Sequence, residues 1–494
     1  MHSVRFSHIL LIFVVMNELF SLIDTLQDFL WTYIVLAMLA GCSFYFSCRL
    51  GFVQFRRVGE MCRQLFGCTE TAGDSGKEGG RKHVNSFQAF AISLASRVGT
   101  GNLAGVASAI AVGGPGAVFW MWMMALLAAA TAFMEATLAQ LYKRRGEDSF
   151  YGGPAYYMQH GLHRRWMGIL FGCGIITSFG IANQMMQSRT ICDAVDAQFG
   201  TGSIVVAAVL TLLIMGVIFG GVHRISRFSA VVVPIMAVGY LVLSVYILTV
   251  NIHHVPAMLS LIVRSAFGLE PAVGGVIGVA VMQGVKRGLF SNEAGEGSAP
   301  HAAATASISH PVKQGLLQAM GVFADTLVIC TCTAFVILLS GLYDKGEDGS
   351  ILTGSAMEHH LGAFGRWYLT LIVFLFAFST IVANYFYSES NIRFITRRRW
   401  PIQLFRLLSL LTVFVGGMVT LQQAWAFIDL FMAFDVILNL TAILLLAPYA
   451  YRLMDDYFRQ RAEGRDPVFH RSMLPEIEND IECWDEEPSE VQHP

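Results

Sequence analysis

Gly284-Val-Lys-Arg-Gly-Leu-Phe-Ser-Asn-Glu-Ala-Gly-Glu-Gly-Ser-Ala-Pro300 is a run that lipid does not tolerate. It grows out of an apolar stretch at residues 272–294, yet it holds four glycines and four charged residues. Glycine weakens a helix, and hydrocarbon cannot satisfy the backbone groups an unwound helix releases. Such a run survives at membrane depth only when buried in protein or lining a watery cavity. A second interruption, Gly99-Thr-Gly-Asn102, follows Arg97 and precedes Gly105 inside the stretch at 88–112.

The surrounding chain is a membrane protein by composition. Its 494 residues are 55% hydrophobic and only 14% charged, too little charge to cover a soluble surface. A span needs roughly 20 apolar residues, and about eleven candidates meet that measure: 28–48, 88–112, 117–141, 166–191, 203–221, 228–250, 272–294, 317–340, 368–388, 404–420 and 426–448. Residues 1–27 form a lead-in; the run His8–Phe20 is short, is interrupted by Asn17 and Glu18, and lacks a small-residue cleavage site. Lys and Arg concentrate in alternate loops, with Arg49, Arg56, Arg57, Lys77 and Arg81 after span one, Lys143 to Arg145 after span three, Arg224 and Arg227 after span five, and Arg393 to Arg399 after span nine. Cytoplasmic loops carry that excess, which predicts an outside N-terminus and a cytoplasmic C-terminus. The nine cysteines show no metal spacing. Gly73–Gly80 reads as a flexible linker. The acidic tail at 451–494 reads as solvated and disordered.

Both interruptions lead a group of five spans. Spans two to six (88–250) and seven to eleven (251–450) insert with opposite orientation, and the extra helix with its cytoplasmic linker fills 28–87. An all-α membrane protein of about eleven transmembrane helices follows, with the 5+5 inverted repeat of the LeuT-like fold plus one N-terminal helix. Matched interruptions in the two halves of a transporter mark its binding site.

An unwound helix suits an amino acid. Freed N–H groups and the positive end of the second half-helix hold a carboxylate, and freed carbonyls attract an ammonium or a bare cation. Gly99 and Gly101 permit close approach, and Thr100 and Asn102 add polar side chains. In span nine, Ser379 and Thr380 offer adjacent hydroxyls; LeuT-like carriers set such hydroxyls against carbonyls ahead of the first break, here those of Ala95 and Val98. Intramembrane charges are functional candidates: Arg97, Glu135, Lys286, Arg287, Glu293 and Glu296. Lys286 and Arg287 are expected to pair with Glu293 or Glu296, or to act as cytoplasmic gate residues. A fixed cation at Arg97 repels an ammonium and a sodium ion unless it faces away or pairs with a carboxylate such as Glu135. His301 and His310 lack convergent ligands, and neither HExxH nor GxSxG occurs, so the chain does not read as an enzyme.

Several motifs together resemble the alanine/glycine:cation symporter family, also called the sodium:alanine symporters. They are Ser86-Phe-Gln-Ala-Phe-Ala, Val98-Gly-Thr-Gly-Asn-Leu-Ala-Gly-Val-Ala107, Gly113-Gly-Pro-Gly-Ala-Val-Phe-Trp-Met-Trp122, Gly152-Gly-Pro-Ala-Tyr-Tyr157 and Arg287-Gly-Leu-Phe-Ser-Asn-Glu-Ala-Gly295. The resemblance runs in order from Asp28 to Pro448. It implies symport of alanine or glycine in the plasma (inner) membrane, driven by sodium or sometimes protons, with the lipid bilayer as environment and no nucleic-acid partner. By position it implies substrate contacts from Thr100, Gly101, Asn102, Gln187, Phe290 and Thr380, and a cation site of Ala95, Val98, Ser379 and Thr380. Asn384 stands where the family commonly has an aromatic residue, a change expected to widen the pocket or admit a polar side chain. The alternatives are a proton-coupled carrier of the same fold for a different or larger amino acid, and a non-transporting amino-acid sensor.

Overall fold

The computed structural model describes residues 22–70, 77–78, 81–82, 84–146, 149–269, 277–396 and 398–484. Among these residues the chain makes eleven helical passages. Seven are long and apolar enough to cross a membrane unbroken: Leu22–Arg49, Gly116–Leu141, Arg165–Phe199, Gly221–Val250, Pro311–Ser340, Ala363–Ile395 and Leu421–Ala462. Ser203–Ile218 and Arg399–Gly416 are shorter. The remaining two are broken, Ser86–Arg97 with Gly101–Gly113, and Ile277–Asn292 with Ala299–Ala303. They are the second and seventh passages, where the glycine-rich runs place them. Val255–Ala266 and Gly349–Leu361 are additional helices in connecting segments.

Side-chain exposure shows which faces meet lipid. Val231, Ile235, Val238, Val242 and Val245 of the sixth span are exposed and recur every three or four residues, an apolar stripe that only hydrocarbon can cover. The broken helices are enclosed instead. From Gly99 to Ile110 and from Gly284 to Ala306 every residue is buried, as the unsatisfied backbone of an interrupted helix requires.

Two edges differ from the sequence reading. The first span begins by Leu22 rather than residue 28; residues 1–21 and most of Gly73–Gly80 lie outside the described residues. The eleventh helix runs on to Ala462, and residues 463–484 are folded rather than solvated. Phe469 N donates to Ser309 O at 2.8 Å, Trp484 Nε1 donates to Gln140 O at 3.2 Å, and Arg144 meets Glu482 at 3.0 Å. Phe469, Leu474, Ile477, Ile481 and Trp484 are buried. These apolar residues are interleaved with the acidic ones, and burying them outweighs the repulsion that the acidic composition implies. Asp485, Glu486 and Glu487 lie outside the described residues.

Candidate functional site

The first half-helix starts at a reciprocal cap, in which Asn85 accepts from Gln88 N and Gln88 accepts from Asn85 N. It ends at Val98, whose ψ of 78° leaves the helix. Gly99 cannot carry a Cβ, because that atom would fall on the Thr380 hydroxyl. At Gly101 a Cβ would lie 3.1 Å from both the Phe290 ring and Ser291 Cα. The glycines thus let the ninth and seventh spans press against bare backbone. Asn102 then organises the turn: its Oδ1 accepts from Gly99 N at 2.9 Å, and its Nδ2 donates to Asp325 at 2.6 Å. Gln187 accepts from Thr100 N at 3.3 Å and is itself oriented by Asn183 at 2.8 Å. The Thr100 hydroxyl is buried with no protein partner among the described residues.

The second break spans Glu293 to Ser298. Glu293, Gly295 and Gly297 have φ of 56°, 99° and 87°, left-handed values that cost a glutamate but not a glycine. The Glu293 carboxylate is held between Ser96 and Ser298, which ties the two breaks together. Asn439 of the eleventh span donates to Gly295 O and to Glu135, each at 2.9 Å, and accepts from Tyr157.

Beside the first break is an oxygen-rich, proton-poor spot. Thr380 Oγ1 lies 2.9 Å from Ala95 O, 3.3 Å from Ser96 O and 3.0 Å from Phe376 O. One hydroxyl proton cannot satisfy three carbonyls, and the surplus lone pairs suit a small hard cation. Ala95 and Thr380 are therefore brought together as expected. Ser379 is not; its hydroxyl turns to Phe376 O at 2.9 Å and towards Met236 Sδ at 3.6 Å. A second polar cluster went unread in the sequence. Asp325 receives Asn102 on one oxygen, and Ser291 at 2.7 Å and Thr326 at 3.0 Å on the other. The signal was present, because Asp325 is an acidic residue inside an apolar span. It sits in a widened helical turn, Phe323–Cys330, and similar turns at Gly101–Gly105 and Ser178–Asn183 flank the same site.

The pairing of Lys286 and Arg287 differs from expectation. Lys286 and Arg287 do not reach Glu293 or Glu296: Arg287 makes a two-pronged pair with Asp429 at 3.1 and 3.0 Å, and Lys286 Nζ lies 3.8 Å from Asp429 and 3.6 Å from Asp28. Glu293 is already bonded by two serines, whereas Asp429 faces the guanidinium squarely. Arg97 donates to Gln318 O at 3.1 Å, and its guanidinium occupies the space left by Gly321. Of the two arrangements expected for it, facing away or pairing with Glu135, it takes the first and turns towards the eighth span. Asn384 meets Ser96 at 2.8 Å, the same serine that holds Glu293.

An aromatic lid closes over Gly101. Phe290 packs edge-on against Trp425 with centroids 4.8 Å apart, and the Arg287 guanidinium stacks on Trp425 at 3.7 Å. The first span joins this lid, since Trp31 Nε1 donates to Asp429 O at 2.8 Å and Gln27 accepts from Lys286 at 3.2 Å.

Paired helix breaks, buried and flanked by polar side chains within eleven passages, define a multi-pass carrier of the LeuT-like fold. The crystal structure of MhsT in complex with L-phenylalanine shares that fold, with a TM-score of 0.50 at 12% identity, covering 82% of this chain and 93% of that one. The sodium:alanine symporter family profile matches residues 16–471, and the chain belongs to this family. It is 46% identical to the amino-acid carrier protein AlsT of Bacillus subtilis (95% of this chain, 99% of that one) and 45% identical to the probable sodium/glutamine symporter GlnT of the same organism (93% and 94%). It is 38% identical to the sodium/proton-dependent alanine carrier protein of Bacillus sp. PS3 (81% and 93%). The protein is thus an integral multi-pass membrane amino-acid symporter, coupled to sodium or protons, and not an enzyme.

Proposed function

We propose that this symporter takes up a small neutral amino acid, alanine or glycine, with sodium, by alternating access across the plasma (inner) membrane, its C-terminus cytoplasmic. The observation that carries the reading is the Thr100 hydroxyl, buried without a partner among the described residues, at the start of the second half-helix and beside Phe290 and Gln187. A substrate carboxylate at that helix start satisfies the hydroxyl and meets the positive dipole end. Gly101 and Asn102 keep the backbone open to it, and Phe290 walls the small side chain. Sodium is placed at the Thr380 oxygens with Ala95 O. With Val98 and Ser379 it completes the expected ligand set once Ser379 rotates. Asp325 supplies a fixed negative charge for a second cation or a proton. In the proposed orientation the Arg287–Asp429 pair and Trp425 lie towards the outer side and act as an outer gate, in place of the cytoplasmic gate expected of Lys286 and Arg287.

A second reading is glutamine, favoured by Asn384. Ser96 has one proton, and its closest partner is the Glu293 carboxylate. Whichever way the Asn384 amide is turned, one of its ends is left buried and unpaired, and an amide side chain matches either end. Uptake of labelled alanine, glycine and glutamine into proteoliposomes, under a sodium gradient and separately under a pH gradient, tests both readings. Sodium-driven alanine or glycine uptake is expected. Uptake driven by the pH gradient alone would replace sodium with protons, and saturable substrate binding with no uptake under either gradient would indicate a sensor.

A further inference from the structure

A cavity of about 1130 Å³ lies apart from the transport site, among the ends of the fourth, ninth and tenth spans and the loop after the third. Among the described residues its lining includes Arg144, Arg145, Arg165, Arg393, Arg398 and Arg399 against one carboxylate, Glu482. Arg393 is committed to Glu389 and Arg144 to Glu482, yet the positive excess is large. His160, also in the wall, adds no charge, because burial and the neighbouring Arg144 hold its pKa at about 4.

Two further observations fix the depth and the kind of anion. Trp166 and Trp400, immediately after Arg165 and Arg399, are 62% and 61% exposed; tryptophan at the end of a span marks the headgroup level. One to two turns deeper along the same two helices, Leu170, Leu404 and Leu407 are also exposed, offering apolar surface for acyl chains. A free phosphate or nucleotide has no use for that surface. We infer that the cavity binds the phosphodiester headgroup of an anionic phospholipid in the cytoplasmic leaflet, its acyl chains lying along Leu170, Leu404 and Leu407. Basic pockets between spans on the cytoplasmic side recognise lipid in this way. The inference uses the proposed orientation but not the transport reading. The lipid phosphate also meets Arg144, the residue that anchors Glu482 of the folded tail, so lipid and tail share one guanidinium.

Native mass spectrometry of the purified full-length protein with phosphatidylglycerol and phosphatidylcholine tests this without any transport measurement. Wild type is expected to retain phosphatidylglycerol selectively. The triple substitution Arg165→Gln, Arg398→Gln, Arg399→Gln is expected to weaken that retention on the order of 100-fold. Arg224→Gln with Arg227→Gln, on the same basic side but outside the cavity, is expected to leave it within about twofold. Should the triple variant not fold, Arg398→Gln alone serves, since that guanidinium has no partner among the described residues; about fivefold weaker retention is expected. Undiminished retention in the cavity variants, an equal loss in the Arg224/Arg227 control, or displacement of the lipid by millimolar inorganic phosphate would overturn the inference.

Discussion

At Gly99 a single missing carbon atom decides whether the ninth span can touch the first break. Gly99→Ala places a methyl group on the Thr380 hydroxyl, so sodium-driven uptake should fall about tenfold or more while folded protein is still recovered. Thr380→Ser, which keeps the hydroxyl, should retain most of the uptake. Asp325→Asn should raise the sodium or proton concentration needed for half-maximal uptake by about tenfold or more, because it removes the fixed charge that Asn102, Ser291 and Thr326 surround. An unchanged cation requirement would show that Asp325 is structural. Outside the membrane, His160 sets a pH dependence. Its folded pKa of about 4 lies below the ordinary value of 6.5, so between those values the unfolded chain binds the proton and the folded chain does not. Thermal stability should therefore fall as pH drops from about 7 to about 5, and His160→Gln should flatten that fall. At this scale the sequence was partly legible. Glycines and polar side chains mark the turn that gathers Thr100, Gly101 and Asn102 and the approach of Thr380, but rotamers were not legible: Ser379 turns to Phe376 O, and the sequence left both directions open for Arg97.

Broken helices were the most legible elements, because glycine and charge at membrane depth admit few other structures. What was not legible was partnership across the bundle. Arg287 lies in the run that decided the fold, yet its partner Asp429 is 142 residues away and on a helix whose facing surface no local pattern reveals. The same holds for Trp31, which recruits the extra N-terminal helix to the lid. The tail was misread because net charge outweighed its five interleaved apolar residues in the sequence reading. Truncation after Gly464 removes the burial of Phe469, Leu474, Ile477, Ile481 and Trp484, each contributing about 1.5–3 kcal/mol at most. Scanning calorimetry should show a melting temperature lower by several degrees, and an unchanged value would mean that the tail does not dock in solution.

For the molecule as a whole, two separate sets of contacts hold the paired breaks. The Arg287–Asp429 lid covers Gly101 from one side, while Glu293, Asn439 and Glu135 lock the second break on the other. The proposed mechanism requires that these closures open in turn and that cation and substrate occupy the breaks together. The most direct measurement is reciprocal flux in proteoliposomes containing the purified protein. An inward sodium gradient should drive accumulation of labelled alanine above equilibrium, and an inward alanine gradient should drive uptake of labelled sodium at a fixed ratio. Alanine accumulation indifferent to sodium, or sodium flux indifferent to alanine, would contradict sodium-coupled symport at the paired breaks.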